Sequence, residues 1–268
     1  MADSTPVHFF DILSSLPVPA KAWSPNTMKT RMILNYKGVP YTQTYVSYPD
    51  IAPLLASLSV KPYPEGTSIF THTLPAICHP SVTSNPSGAL MDSLPIAIHL
   101  DDLYPSPPLF PSGNASYALA LAVNKLMLVI TSSVYHFVAP KVAHILDARG
   151  KEYFVRTRTE HFGKPLSEVR PTGVQEIQKM KENIAVDARP LLEMLQGKPG
   201  KSGPFFEGDR PGYADFICVS FLVWFNTADK EIFQQLVGLG NGELKTLWDA
   251  CLPWVEGQGE DKEWDIPQ

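Results

Sequence analysis

Hydrophobic and polar positions change rhythm several times along the chain, and each change predicts an element. Val7 to Ile12 is a short apolar run bounded by polar residues and proline, the signature of a buried strand. A Leu16-Pro17-Val18-Pro19 loop follows. Ser24-Pro25-Asn26 then announces a helix, since serine favours the N-cap and proline the first helical position. Met28, Met32 and Tyr36 at spacing four mark one helix face, and Gly38 supplies the C-terminal cap. Thr42 to Tyr48 alternates as a second strand, which completes a strand–helix–strand unit with a parallel pair. Past a proline-rich loop, Ser68 to Phe70 is expected as a strand edge, Leu74 to Ile77 as a strand and Ser81 to Thr83 as the closing arm of a hairpin. A helix begins at Asp92-Ser93 and runs to about Tyr104, with Pro95 in its first turn and Ile96, Leu100 and Leu103 as its apolar stripe.

Between Asp101 and Gly113, prolines at 105, 107, 108 and 111 mark a linker. Beyond it the period becomes helical: Ser116 to about Ala148, Thr172 to Leu195, Tyr213 to about Phe225 and Glu243 to Trp254. The expected organisation is an α/β domain over 6–105, a linker over 106–112 and an all-α domain over 113–268. The segment 152–166, rich in arginine and aromatic residues, is expected as an insertion between helices.

Composition narrows the class. With 44% hydrophobic residues in 268, the chain has ample material for a core and needs no disulfide or metal staple. A net charge of -5 argues against a nucleic-acid partner. Cys78, Cys218 and Cys251 are far apart, have no metal-ligand spacing and lie among apolar neighbours, so they are expected as buried thiols in a reducing, cytoplasmic setting. Met1 to Leu13 lacks the basic start and long apolar run of a secretory leader. Apolar stretches such as Leu119 to Ile130 are interrupted by Asn124 and Lys125, and no membrane span is expected.

Three features can carry chemistry. Ser24 stands at a helix mouth, where unpaired N–H groups and the helix dipole stabilise an anion such as a thiolate, and its hydroxyl can donate to that anion. Asn26 can donate from its amide. Leu74-Pro75 invites a cis peptide, which would expose the Leu74 backbone to an extended ligand. At Asp92-Ser93, Ser93 suits a carboxylate and Asp92 an ammonium, together an amino-acid head group. For Ser24 and for Asp92-Ser93 the alternative is plain helix capping. Asp215, three residues after Gly212, reads as half a capping box and so as a folding feature.

The order of these features resembles the cytosolic glutathione transferases over about residues 7 to 256. Trp23-Ser24-Pro25-Asn26-Thr27, Leu34-Asn35-Tyr36-Lys37-Gly38, Tyr48-Pro49-Asp50-Ile51 and Phe162-Gly163-Lys164-Pro165-Leu166 are similar to the etherase-related, serine-type fungal-specific class A. The resemblance implies a thioredoxin-like N-terminal domain, an all-α C-terminal domain, a homodimer and glutathione as co-substrate, without a metal. Ser24 would activate the sulfur, with Asn26 as a second donor. Leu74 and Pro75 would hold the cysteinyl backbone, and Asp92 and Ser93 the γ-glutamyl group. Asp92 is a methylene shorter than the glutamate or glutamine often found there, and Gly212 replaces the usual serine or threonine. Lys37 or Lys61 could meet the glycyl carboxylate. The second substrate, a hydrophobic and aromatic electrophile, would lie against the loop Leu13 to Trp23 and a wall of Trp23, Tyr135, His136 and Phe137. The alternative is a ligandin-like carrier of aromatic or polyphenolic compounds with little turnover.

Overall fold

The computed structural model describes residues 6–267, so the first five residues of the Met1–Leu13 leader reading lie outside the described residues. The chain forms two compact units. One comprises the chain up to Pro107, Leu146–Tyr153 and the chain from Trp254; the other comprises Pro108–Ile145 and Phe154–Pro253. Their first division falls within the proline-rich segment, and two later segments group with the first unit.

The elements are β1 Val7–Ile12, α1 Pro25–Lys37, β2 Tyr41–Val46, α2 Ile51–Ser57, β3 Ala76–Cys78, β4 Ala89–Met91, α3 Ser93–Leu103, α4 Asn114–Val142, α5 Ala148–Phe162, α6 Val174–Gln196, α7 Tyr213–Ala228, α8 Lys230–Val237, α9 Glu243–Glu256 and β5 Glu260–Asp261. In the first unit the strands form one sheet in the order β4-β3-β1-β2-β5. β1 runs parallel to β2, with Val7 opposite Tyr41, and antiparallel to β3. This mixed sheet with its helices is the expected thioredoxin-like architecture, and the second unit is helical.

Several expectations are corrected. Ser68–Phe70 forms no strand, and the arm that pairs antiparallel with β3 is Ala89–Met91, not Ser81–Thr83. The long helix stops at Val142, and the segment read as an insertion is largely α5. Its periodicity is faint because, of Ala148–Phe162, few side chains are buried and Phe154 is the main apolar anchor. On α1 no single stripe exists: Thr27 through Leu34 are all buried, so the helix sits inside the unit. Leu103 leaves the α3 stripe and is 39% exposed. Cys218 and Cys251 are buried, but Cys78 is half-buried, its thiol pushed up to about 11 by burial. α4, at 29 residues and with a window of mean hydropathy 1.6, is long and apolar enough to cross a membrane by length and composition, unlike the shorter stretch expected. Its Ala120, Val123, Met127, Ile130 and Val134 are buried, and the helix packs on α6 and α7.

At the start of α7, Asp215 Oδ2 accepts the Gly212 N–H at 2.8 Å and Oδ1 the Phe206 N–H at 2.9 Å, so the half capping box does its work without a side chain at the cap.

The C-terminal tail belongs to the sheet. β5 pairs parallel with β2, and Trp264 lies on His8 and Phe10 at centroid distances of 4.4 and 5.0 Å. His8 is itself bonded to Thr42 Oγ1 at 2.7 Å and Thr44 Oγ1 at 3.1 Å. Burial first, and then Lys262, pulls its pKa from 6.5 down to about 4. A base depressed in the folded state favours folding above its unfolded pKa and loses that contribution as pH falls through the folded one. Unfolding stability is therefore expected to drop between pH 6.5 and 4. His8→Gln, whose amide can bond both threonines without titrating, should flatten that part of the curve. Parallel curves for the two proteins in urea titrations would refute the assignment.

Candidate active site

The three sequence candidates lie on neighbouring elements of the first unit. Ser24 precedes α1 in extended conformation and is 3% exposed. Its carbonyl takes the Met28 N–H at 2.9 Å, which starts the helix, but its side chain makes no capping bond. The hydroxyl is thus not engaged in capping, and the first-turn N–H groups keep their positive field. Trp23, also buried, has an indole N–H without a hydrogen-bond partner among the described residues. Asn26 is exposed in the first turn, and its Oδ1 accepts from Lys29 Nζ at 3.1 Å.

The Leu74-Pro75 peptide is cis. Leu74 stands before β3, ahead of the ladder that begins at Ala76. The Pro75 carbonyl accepts the Asp92 N–H at 3.0 Å, which joins the proline turn to the α3 start. Asp92 has φ 81, in the left-handed region that a non-glycine residue rarely adopts. Its carboxylate makes no capping bond to α3; it accepts a hydrogen bond from the Tyr63 hydroxyl, which also meets Thr73 Oγ1 at 2.9 Å. Burial, then the bond to Asp92, pushes Tyr63 up to about 12, so it stays a neutral donor. Ser93 opens α3 beside Asp92.

Tyr63 was not among the sequence candidates. It sits 29 residues from Asp92 in a proline-rich loop, and no periodicity points to it. Lys37 leaves the candidate set. Its ammonium donates to Asp101 Oδ1 at 2.7 Å, the Tyr104 carbonyl at 2.6 Å and the Pro107 carbonyl at 2.8 Å, which engages all three of its protons inside the unit. Lys61 remains exposed.

The aromatic wall divides. Residues two apart on a helix point about 200° apart. Tyr135 faces Phe162 and His161 at 5.6 and 6.4 Å, and His136 faces Phe162 at 5.3 Å. Phe137 is buried on another side and lines a cavity of about 610 Å³ in the helical unit, with Arg170, Ile177, Met180 and Ile232. Among the described residues no group of three or more His, Cys, Asp or Glu could hold a metal ion.

Residues 23–103 match the glutathione S-transferase N-terminal domain and residues 118–254 its C-terminal domain. The chain belongs to the glutathione S-transferase family. This transferase is 57% identical to the glutathione S-transferase-like protein ustS of Aspergillus flavus, over 99% of its own length and 97% of the relative's. Among solved structures it is similar to a glutathione S-transferase of Ceriporiopsis subvermispora in complex with glutathione, with TM-score 0.81, 30% identity and 93% and 98% of the two chains covered. Glutathione transferase GSTFuA3 from Phanerochaete chrysosporium gives TM-score 0.80 at 26% identity, with 98% and 99% covered. Glutathione is accordingly the transferase's co-substrate.

Proposed function

We propose that this transferase activates the glutathione thiol at Ser24 and directs it at hydrophobic, aromatic electrophiles. The observation that carries the reading is the Ser24 hydroxyl, placed at the mouth of α1 and not occupied by capping. A free thiol has pKa about 8.5 and attacks only as the thiolate. The Ser24 hydroxyl, the Asn26 amide and the helix terminus each favour the charged form. Lowering the thiol by about two units needs about 2.7 kcal/mol, within reach of one or two charge-assisted bonds of about 1.5–3 kcal/mol each.

Leu74 would pair with the cysteinyl backbone next to Pro75. Asp92, oriented by Tyr63, would take the γ-glutamyl ammonium, and Ser93 its carboxylate. The thiolate then forms the new carbon–sulfur bond as the leaving group departs with its electron pair. Serine cannot form a mixed disulfide, so thiol-transferase chemistry should be weak, while peroxide reduction or aryl-ether cleavage remains open to the activated thiol. Trp23, next to Ser24, is buried at 3% exposure, so it backs the helix mouth from within and leaves the pocket-wall set.

A homodimer is supported by α4, which exposes Leu121, Leu128 and Val129 at 46%, 47% and 42% along one face. A cytoplasmic setting is supported by the free cysteines. A second role, carriage of aromatic compounds, is favoured by the cavity lined by Phe137, Met180 and Ile232.

Thermal unfolding with glutathione, and again with a glutathionyl-aryl conjugate, tests the reading. A ligand at 100 times its Kd adds about 2.7 kcal/mol. For a chain of this size that raises Tm by about 5–10 °C. No shift with either ligand would sink the assignment of Leu74, Asp92 and Ser93.

A further inference from the structure

An asparagine amide offers a carbonyl acceptor and an N–H donor, and half a turn of its side chain exchanges them. Asn26 can help a thiolate only with its nitrogen forward. The structure shows what decides this. Lys29 lies one turn further along α1, is 4% exposed, and donates from Nζ to Asn26 Oδ1 at 3.1 Å. An ammonium has donors only. It therefore grips the amide by its oxygen and leaves the nitrogen facing away as the available donor.

The charge of Asp92, just before α3, favours the protonated Lys29, and the neutral Tyr63 hydroxyl is bonded to that carboxylate. Burial pulls the ammonium down to about 8, and Asp92 opposes that pull, so Lys29 carries its proton at neutral pH. Lysine is rarely buried without a use for its charge, and methionine would fill much of the same space without the desolvation cost.

We propose that Lys29 is a positioning residue for thiol activation, its buried ammonium locking the Asn26 amide with nitrogen as the outward donor. The proposal rests on the reading of Ser24 and Asn26 as donors to the glutathione sulfur. The contact that carries it is the hydrogen bond from Lys29 Nζ to Asn26 Oδ1.

The test measures glutathione binding by calorimetry and the pKa of the bound thiol from its ultraviolet thiolate band. The proteins are wild type, Lys29→Met, Lys29→Arg, Asn26→Ala and the Lys29→Met/Asn26→Ala double variant. Lys29→Met is expected to raise the bound thiol pKa by about one unit, a tenfold loss of thiolate below the pKa. Asn26→Ala should do the same, and the double variant should be no worse than either single, because both remove one donor. Lys29→Arg, which also only donates, should restore the wild-type value. An unchanged thiol pKa in Lys29→Met, or additive shifts in the double variant, would overturn the proposal. If Lys29→Met does not fold, Lys29→Gln serves instead: its amide can hold Asn26 either way round, and it should show a raised pKa. A wild-type chain that binds no glutathione would overturn the functional reading itself, and that result is visible before any substitution is compared.

Discussion

Ser24→Ala lowers kcat/KM for conjugation at pH 7 by about 10- to 150-fold. The estimate follows from losing one charge-assisted bond of about 1.5–3 kcal/mol to the thiolate, at about 1.4 kcal/mol per factor of ten. The loss should concentrate on the acid side of the pH–rate profile, whose limb moves up by about one to two units, and should shrink at high pH where the thiol ionises unaided. Stability should hardly change, because the hydroxyl makes no capping bond that alanine would remove. Binding of a polyphenol should survive the substitution if carriage uses the cavity lined by Phe137 in the helical unit. This pairing of lost turnover and retained Tm separates a sulfur donor from a helix cap, which would show the reverse. Unchanged kcat/KM would move the sulfur's donor to Asn26 or to the helix backbone.

Arg31→Met destabilises the first unit by about 3–5 kcal/mol, which is the usual result of removing one member of a buried ion pair. Arg31 and Asp11 are both fully buried, with Nη2 2.8 Å from Asp11 Oδ2. The same guanidinium donates to Gln43 Oε1 at 2.7 Å, Tyr45 Oη at 3.1 Å, Gln258 Oε1 at 3.1 Å and Tyr41 Oη at 3.2 Å. It thereby binds α1, β1, β2 and the C-terminal tail together. Methionine would strand the Asp11 carboxylate in the interior, where the Ile12 N–H donates to its Oδ1 at 2.7 Å. Tm should fall by roughly 6–20 °C. The tail beyond Trp254 should also become more sensitive to protease, since Gln258 loses one of two bonds to its Oε1 and keeps the one from the Tyr45 hydroxyl, while Asn35 keeps its bonds to the Trp254 and Gly257 carbonyls. Adding Asp11→Asn, which removes the stranded charge and keeps an acceptor for Ile12, should recover part of the loss. A cost under about 1 kcal/mol for Arg31→Met alone would mean that the pair contributes little beyond filling space.

Both predictions involve α1, and they differ in how far they could be read from the amino-acid order. Ser24-Pro25 and Gly38 mark the ends of this helix by rules that act within a few residues, and the structure begins and ends it at Pro25 and Lys37. Nothing along the chain marks Arg31 as a hub, because its partners lie 10, 12, 14, 20 and 227 residues away. Lys37 shows the same gap in reverse. The family resemblance offered it, with Lys61, for the glycyl carboxylate, yet Asp101 and two carbonyls at separations of 64 to 70 residues claim it. Tyr63 reaches Asp92 only because the fold brings its loop to the start of α3, 29 residues away along the chain.

The order of residues alone carries the local grammar: the strand–helix–strand start, the helix ends at Pro25 and Gly38, the Asp215 half of a capping box and most of the later helical period. Those follow from φ restriction, unpaired helix-end groups and hydrophobic spacing, all of which operate over one or two turns. Tertiary structure alone decided which polar groups are engaged and which stay available. It paired the tail as β5, divided Tyr135 from Phe137, withdrew Lys37 and set Lys29 behind Asn26. The physical reason is that a buried hydrogen bond or ion pair is chosen by proximity in space, whose cost in chain entropy rises only slowly with separation, so partners hundreds of residues apart leave no local mark.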